Sequence, residues 1–193
     1  MNPAGRKYIF LVPWITFILV FSYAVVRHVI LKGAGIDQVF WHVLNKAIAL
    51  TAVIIIGSSF LSRDNVAKKF LGVAGLAFVL LHIALSGFLF FPAISGLEPA
   101  ILCGMLAALG FLSVTLLHKR VFIYLALLLV IGHVAIMGYK NWINLQDWRG
   151  HLPPITLLAA VFIVYVLAKK VGKKLLSPID RSRHRVKIND RNS

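Results

Sequence analysis

The sequence predicts an all-α fold: a polytopic membrane helix bundle of six transmembrane helices with both termini cytoplasmic. Three observations carry this. Of 193 residues, 60% are hydrophobic, and the mean hydropathy is +0.86, a composition that a water-soluble globule does not sustain. The apolar residues gather into six runs, 8–30, 39–61, 70–91, 100–117, 121–137 and 152–168, whose lengths bracket the ~20 residues needed to cross a bilayer. The connections between the runs alternate sharply in charge.

Arg6 and Lys7 precede span one, which is too long for a signal peptide and lacks a small-residue cleavage site. Span two opens on Trp41 and His42 and carries Lys46 a turn further in. Arg63, Lys68 and Lys69 separate it from span three, and Lys119 and Arg120 separate spans four and five. Lys169, Lys170, Lys173, Lys174, Arg181, Arg183, Arg185, Lys187 and Arg191 follow span six. The other connections, 32–38, 92–99 and 139–151, carry only Lys32, Lys140 and Arg149, beside Asp37, Glu98 and Asp147. Cytoplasmic loops hold the excess of Lys and Arg, so this alternation places both termini in the cytoplasm. Trp142 and Trp148 in 139–151 suit an interfacial segment on the outer face. Residues 1–170 then form the membrane domain. Residues 171–193 form a basic cytoplasmic tail, expected to be disordered or attached to anionic lipid heads.

The formal net charge of +15 follows from this topology. No groove-reading or aromatic-interleaved basic module accompanies it, so lipid rather than nucleic acid is the expected partner. Cys103 is alone, which leaves neither a disulfide nor a thiolate metal site. There is no Gly-rich phosphate loop, no HExxH, no internal repeat and no pair of intramembrane carboxylates of the kind that marks proton-coupled transport. Asp64 and Glu98 lie in connections, and the spans contain no acid. The polar inventory within the membrane is histidine with a little lysine, a pattern that favours haem over ion transport.

His82 and His133 each stand 13 residues beyond a basic cluster, at Lys69 and Arg120, or about 20 Å at ~1.5 Å per residue. Spans three and five run in the same direction, so the two imidazoles are expected at one depth, as two axial ligands of a single b-type haem require. The other reading of His82 is an imidazole bonded to a carbonyl or hydroxyl of a neighbouring helix. Gly75, seven residues before His82 on the same face, would let a porphyrin plane approach closely.

His118 lies at the cytoplasmic boundary, where snorkelling toward lipid heads is the default. As a ligand of a second, inner haem it would need a partner where Lys68 and Lys69 stand. Water, another side chain or no inner haem at all are the remaining choices. His42 and Lys46 are four residues apart and share a helix face. They are either solvated at the interface or paired with haem propionates or a quinone carbonyl. Arg27 and His28 offer similar help from span one, and His151 and His184 read as solvated.

Certain of these residues form a pattern. The run QVFWHVLNKAIALT places a basic residue, Lys46, four positions after His42. KKFLGVAGLAFVLLHIALS sets Lys68, Lys69, Leu71, Gly72 and Phe78 ahead of His82, and Tyr124 precedes His133 by nine. Over roughly residues 36–140 the chain resembles the ferric reductase-like transmembrane domain family, in particular its MsrQ-type haem-binding subunits. It departs from the pattern where the family's fifth helix has an earlier histidine, since Arg120 stands four residues before Tyr124 and His118 two further back. The connection between spans four and five is also shorter.

The resemblance implies an electron-transfer subunit of an oxidoreductase: a b-type cytochrome of the cytoplasmic (inner) membrane with haem iron held by His82 and His133. Its donor would be a quinol or a cytoplasmic flavin reductase, and its acceptor an outer-side partner such as a molybdopterin enzyme that repairs methionine sulfoxide. The chain has no room for a flavin or nicotinamide domain, so flavin would enter only through a separate partner. Two other classes stand beside this one: a non-haem polytopic protein, such as an assembly factor or small transporter, and a haem enzyme acting directly on ferric chelates, quinone or oxygen.

Overall fold

The computed structural model describes the backbone of residues 8–31, 33, 36–90, 98–117 and 121–189, and their side chains except at 36–39, 115–117, 149 and 173–189. Among the described residues every regular element is helical and none is a strand. Helix α1 spans Val12–Val25 and runs on through a π-turn, Val26–Ile30. α2 spans Ile36–Leu61, α3 Asn65–Phe90, α4 Pro99–Leu117, α5 Val121–Ile143 and α6 Ile155–Asn189.

Each apolar run has therefore become a helix, and among the described residues five are long and apolar enough for a crossing: Val12–Ile30, Phe40–Leu61, Asn65–Phe90, Val121–Ile143 and Ile155–Gly172. The chain is a multi-pass membrane protein on that ground. α4 is a further apolar helix of 19 residues, Pro99–Leu117.

Local chemistry explains where the helices begin. Pro13 stands in the first turn of α1 and Pro99 opens α4, where the missing N–H removes nothing the helix would use. The Asp64 side chain accepts from the Ala67 N–H at 2.9 Å and caps α3. Between α5 and α6 the chain turns through Gly150 and His151, both in the left-handed region (φ 55° and 60°), and Pro153 and Pro154 then precede α6.

Phe10 packs on Phe70 at 4.6 Å, and Lys170 lies 4.7 Å above the Phe60 ring. These contacts mark the end of the bundle where the lysines gather, here the lysine end. His42 meets Phe90 at the far end, with ring centroids 5.4 Å apart. α2 is the central post, packed against α1, α3 and α6, while α5 packs against α4 and α6. Within the apolar window of α2, 67% of residues are buried, against 6% for α3, so α3 lies at the rim. Outward faces stay apolar, with Phe88 and Ile143 74% and 78% exposed, as lipid contact requires.

Two apolar clusters form the core. One joins Val20, Ala24, Val43, Ala47, Val134 and Ala159, and the other joins Ile56, Phe111, Leu127, Ile163 and Val166 nearer the lysine end. A Cβ on Gly75 would meet Ile56 Cγ1 at 2.5 Å and its backbone N at 3.1 Å. What approaches Gly75 is therefore α2, and Ile56 fills the space that the sequence reading offered to a porphyrin.

Two further expectations are corrected. α5 extends to Ile143, six residues past the end expected from apolar content. The Trp142 indole N–H bonds Thr156 Oγ1 at 2.8 Å and ties this polar last stretch to α6. The backbone of α6 stays helical to Asn189, so of the two expectations for the tail, disorder or attachment to anionic lipid heads, the first is not met. Lys, Arg and Leu are good helix formers, and a charge-based reading of the tail overlooks that.

Candidate functional site

Asn45 is buried on α2, 5% exposed, in a stretch otherwise filled by Val43, Ala47 and Ile48. A bare amide there would be costly, and α3 supplies its partners. The His82 ring accounts for its Oδ1, with Nδ1 at 2.7 Å. Its Nδ2 donates to Ser86 Oγ at 2.9 Å, and that hydroxyl lies 3.5 Å from the same His82 Nδ1. Ser86 and His82 are four residues apart on α3, hence on one face, so one amide meets both.

His133, on α5, has an equivalent arrangement built from backbone. Its Nδ1 lies 2.7 Å from the Ala100 carbonyl oxygen, in the first turn of α4. A Cβ at Gly104, one turn further, would fall 3.1 Å from His133 Nδ1 and 3.3 Å from its Cε1. Glycine lets the ring lie against α4 without the few tenths of an ångström of shift that a Cβ would ask of it.

These bonds fix the chemistry of both rings. A carbonyl oxygen only accepts, so each Nδ1 carries the proton and donates it. A neutral imidazole then has its lone pair on Nε2. Among the described residues, neither Nε2 makes a hydrogen bond. The helices that carry the two rings, α3 and α5, share almost no backbone packing.

Other sequence-selected residues fall around this pair. His42 is exposed and rests on Phe90. Lys46 is exposed, one position past Asn45 and so ~100° around α2. Gly75 serves helix packing. His118 lies outside the described residues. Arg27 is 7% exposed and is committed to the far-end connection rather than open to an incoming anion. Its Nε donates to the Leu152 carbonyl at 3.4 Å, one terminal nitrogen to that of Asp147 at 3.3 Å and the other to His28 Nε2 at 3.5 Å. The Tyr23 hydroxyl donates to the Pro153 carbonyl beside it. The π-turn, closed by Leu31 N–H to Val26 O at 2.9 Å, is the irregularity from which Arg27 reaches these acceptors.

Sequence reasoning missed Asn45, Ser86, Gly104 and the Ala100 carbonyl. The first carried a readable signal, a lone amide within an apolar run. A carbonyl and a glycine contact across helices carry none. The Thr51 hydroxyl, fully buried on α2, has no hydrogen-bond partner among the described residues. Nor do those residues include a group of three or more His, Cys, Asp or Glu side chains able to hold a metal ion.

Compared with known proteins, the chain matches no protein-family model and no curated protein.

Proposed function

We propose that the chain is a b-type cytochrome subunit of the cytoplasmic membrane, with His82 and His133 as the two axial ligands of one haem. One observation carries the reading: two imidazoles, on helices that barely pack together, each donate Nδ1–H to a carbonyl and keep Nε2 unprotonated. Metal-bound histidine has this form, since a bond from the second ring nitrogen fixes the tautomer and raises ligand basicity. A bare ion would want three or four protein ligands, whereas a porphyrin brings four nitrogens and asks for one or two. Two histidines, with no group of three ligating side chains among the described residues, suit haem.

A haem held there would supply a one-electron iron couple within the apolar bundle. The chain's own part is to hold the imidazoles in one tautomer, orient them through Asn45, Ala100 and Gly104, and exclude water with the apolar faces of α2 and α5. Orientation in the membrane follows from charge: the lysine end is cytoplasmic, both termini lie on that side, and α4 completes six crossings. The site is then nearer the outer face. This suits delivery of electrons to an outer-side acceptor, such as a molybdopterin reductase, from a separate quinol or flavin reductase donor. Lys46 and His42, toward the same face, suit the propionates or a quinone carbonyl.

The test is a reduced-minus-oxidised absorption spectrum of the full chain purified in detergent. The reading expects the sharp visible bands of a low-spin b-type haem at about one haem per chain. A protein that is folded and colourless after expression with ample haem contradicts it.

A further inference from the structure

The two imidazoles are supported by different means. The acceptor for His133 is a main-chain carbonyl, which no substitution removes and which cannot turn over. The acceptor for His82 is one end of a side-chain amide, and an amide can present either oxygen or nitrogen. With Oδ1 toward the ring, as in this structure, His82 holds its proton on Nδ1 and its lone pair on Nε2. With Nδ2 toward the ring, the proton would move to Nε2 and the lone pair would be lost from the atom that faces the proposed iron.

Ser86 anchors the amide. Its Oγ accepts from Asn45 Nδ2 at 2.9 Å, while Asn45 Oδ1 meets His82 Nδ1 at 2.7 Å, so the 5% exposed side chain is held between two residues one turn apart on α3. A hydroxyl can donate as well as accept, so Ser86 fixes where the amide lies, and a metal at Nε2 would select the orientation with Oδ1 toward the ring.

We infer that Asn45, anchored by Ser86, is a positioning residue that accepts from His82 Nδ1 and sets how strongly its Nε2 donates to iron. The inference rests on the haem reading above. A better acceptor at Nδ1 increases imidazole basicity and favours the ferric state, and loss of the acceptor does the reverse. The reduction potential of this site is therefore adjustable from one side, through residue 45.

The experiment measures the midpoint potential and haem content of the full chain in detergent for wild type, Asn45→Asp, Asn45→Leu and Ser86→Ala. Asn45→Asp, with a carboxylate as the acceptor, is expected below wild type. Asn45→Leu is expected above it, and Ser86→Ala between Asn45→Leu and wild type, with haem retained in Asn45→Asp and Ser86→Ala. If Asn45→Leu does not fold, the opposite shifts of the other two variants decide the matter. Potentials that stay at the wild-type value, or that all move in one direction, overturn the inference while the haem reading stands. A folded wild-type chain that takes up no haem overturns the reading first and the inference with it.

Discussion

His82 on α3 donates its Nδ1 proton to the Asn45 side-chain carbonyl on α2 across 2.7 Å, and this bond does two things at once. It satisfies an amide buried in an apolar helix, and it leaves the other ring nitrogen with its lone pair. A histidine serving only to join two helices would need the first effect alone. His133 shows the same division between Nδ1 and Nε2 with a different acceptor, and that repetition is why the pair reads as a ligand set.

Gly104→Val is expected to dislodge His133. A side chain there begins 3.1 Å from Nδ1, so the ring must turn and lose its bond to Ala100. Loss of the bond and the overpacking together cost about 1–3 kcal/mol. Thermal unfolding in detergent should show a lower midpoint for Gly104→Val, with a smaller decrease for Gly104→Ala.

Arg27→Ala should loosen the far end. It leaves the Leu152 and Asp147 carbonyls without their donor, at about 1–3 kcal/mol for unsatisfied buried groups. Limited proteolysis should show faster cutting in 144–153 than in wild type. An unchanged cutting rate would mean that Tyr23 alone secures the turn.

Thr51→Val removes a buried hydroxyl that has no partner among the described residues, so the usual loss of a hydrogen bond does not apply. The unfolding midpoint is expected to stay within error of wild type or to rise, by an amount worth up to about 1 kcal/mol. A decrease of more than that would show that the hydroxyl is bonded in the protein as it folds in lipid.

A reporter fused after Ser193 should be active on the cytoplasmic side. The lysine end, where Lys68, Lys69, Lys169 and Lys170 gather, sets that orientation. Activity confined to the outer side would invert the bundle and place the histidine pair near the cytoplasmic face.

Much of the fold is legible in the sequence, because apolar content along the chain reports directly on which segments leave water. Among the described residues all six runs are helices. Boundaries are less legible. Apolar content ends at 137, but α5 continues to Ile143 because Trp142 finds Thr156 on α6, a contact between distant residues. The tail shows the same limit: its charge says that it leaves the membrane and not whether its backbone coils. At the site, spacing singled out the two rings and left out what holds them. Asn45 is 37 positions from His82 and the Ala100 carbonyl 33 from His133, so each pairing arises from helix packing. Gly75 misled for the same reason, since a glycine on the histidine face offers close approach without saying to what, and Ile56 takes it.

The most direct test of the central claim is haem content per chain in His82→Ala, His133→Ala and His118→Ala, each purified beside wild type and checked for folding. An axial bond is lost when either ligand is removed. The account predicts that His82→Ala and His133→Ala each lose most or all haem while His118→Ala keeps most of it. Haem that survives His82→Ala and vanishes in His118→Ala would contradict it and move the ligand set toward the lysine end.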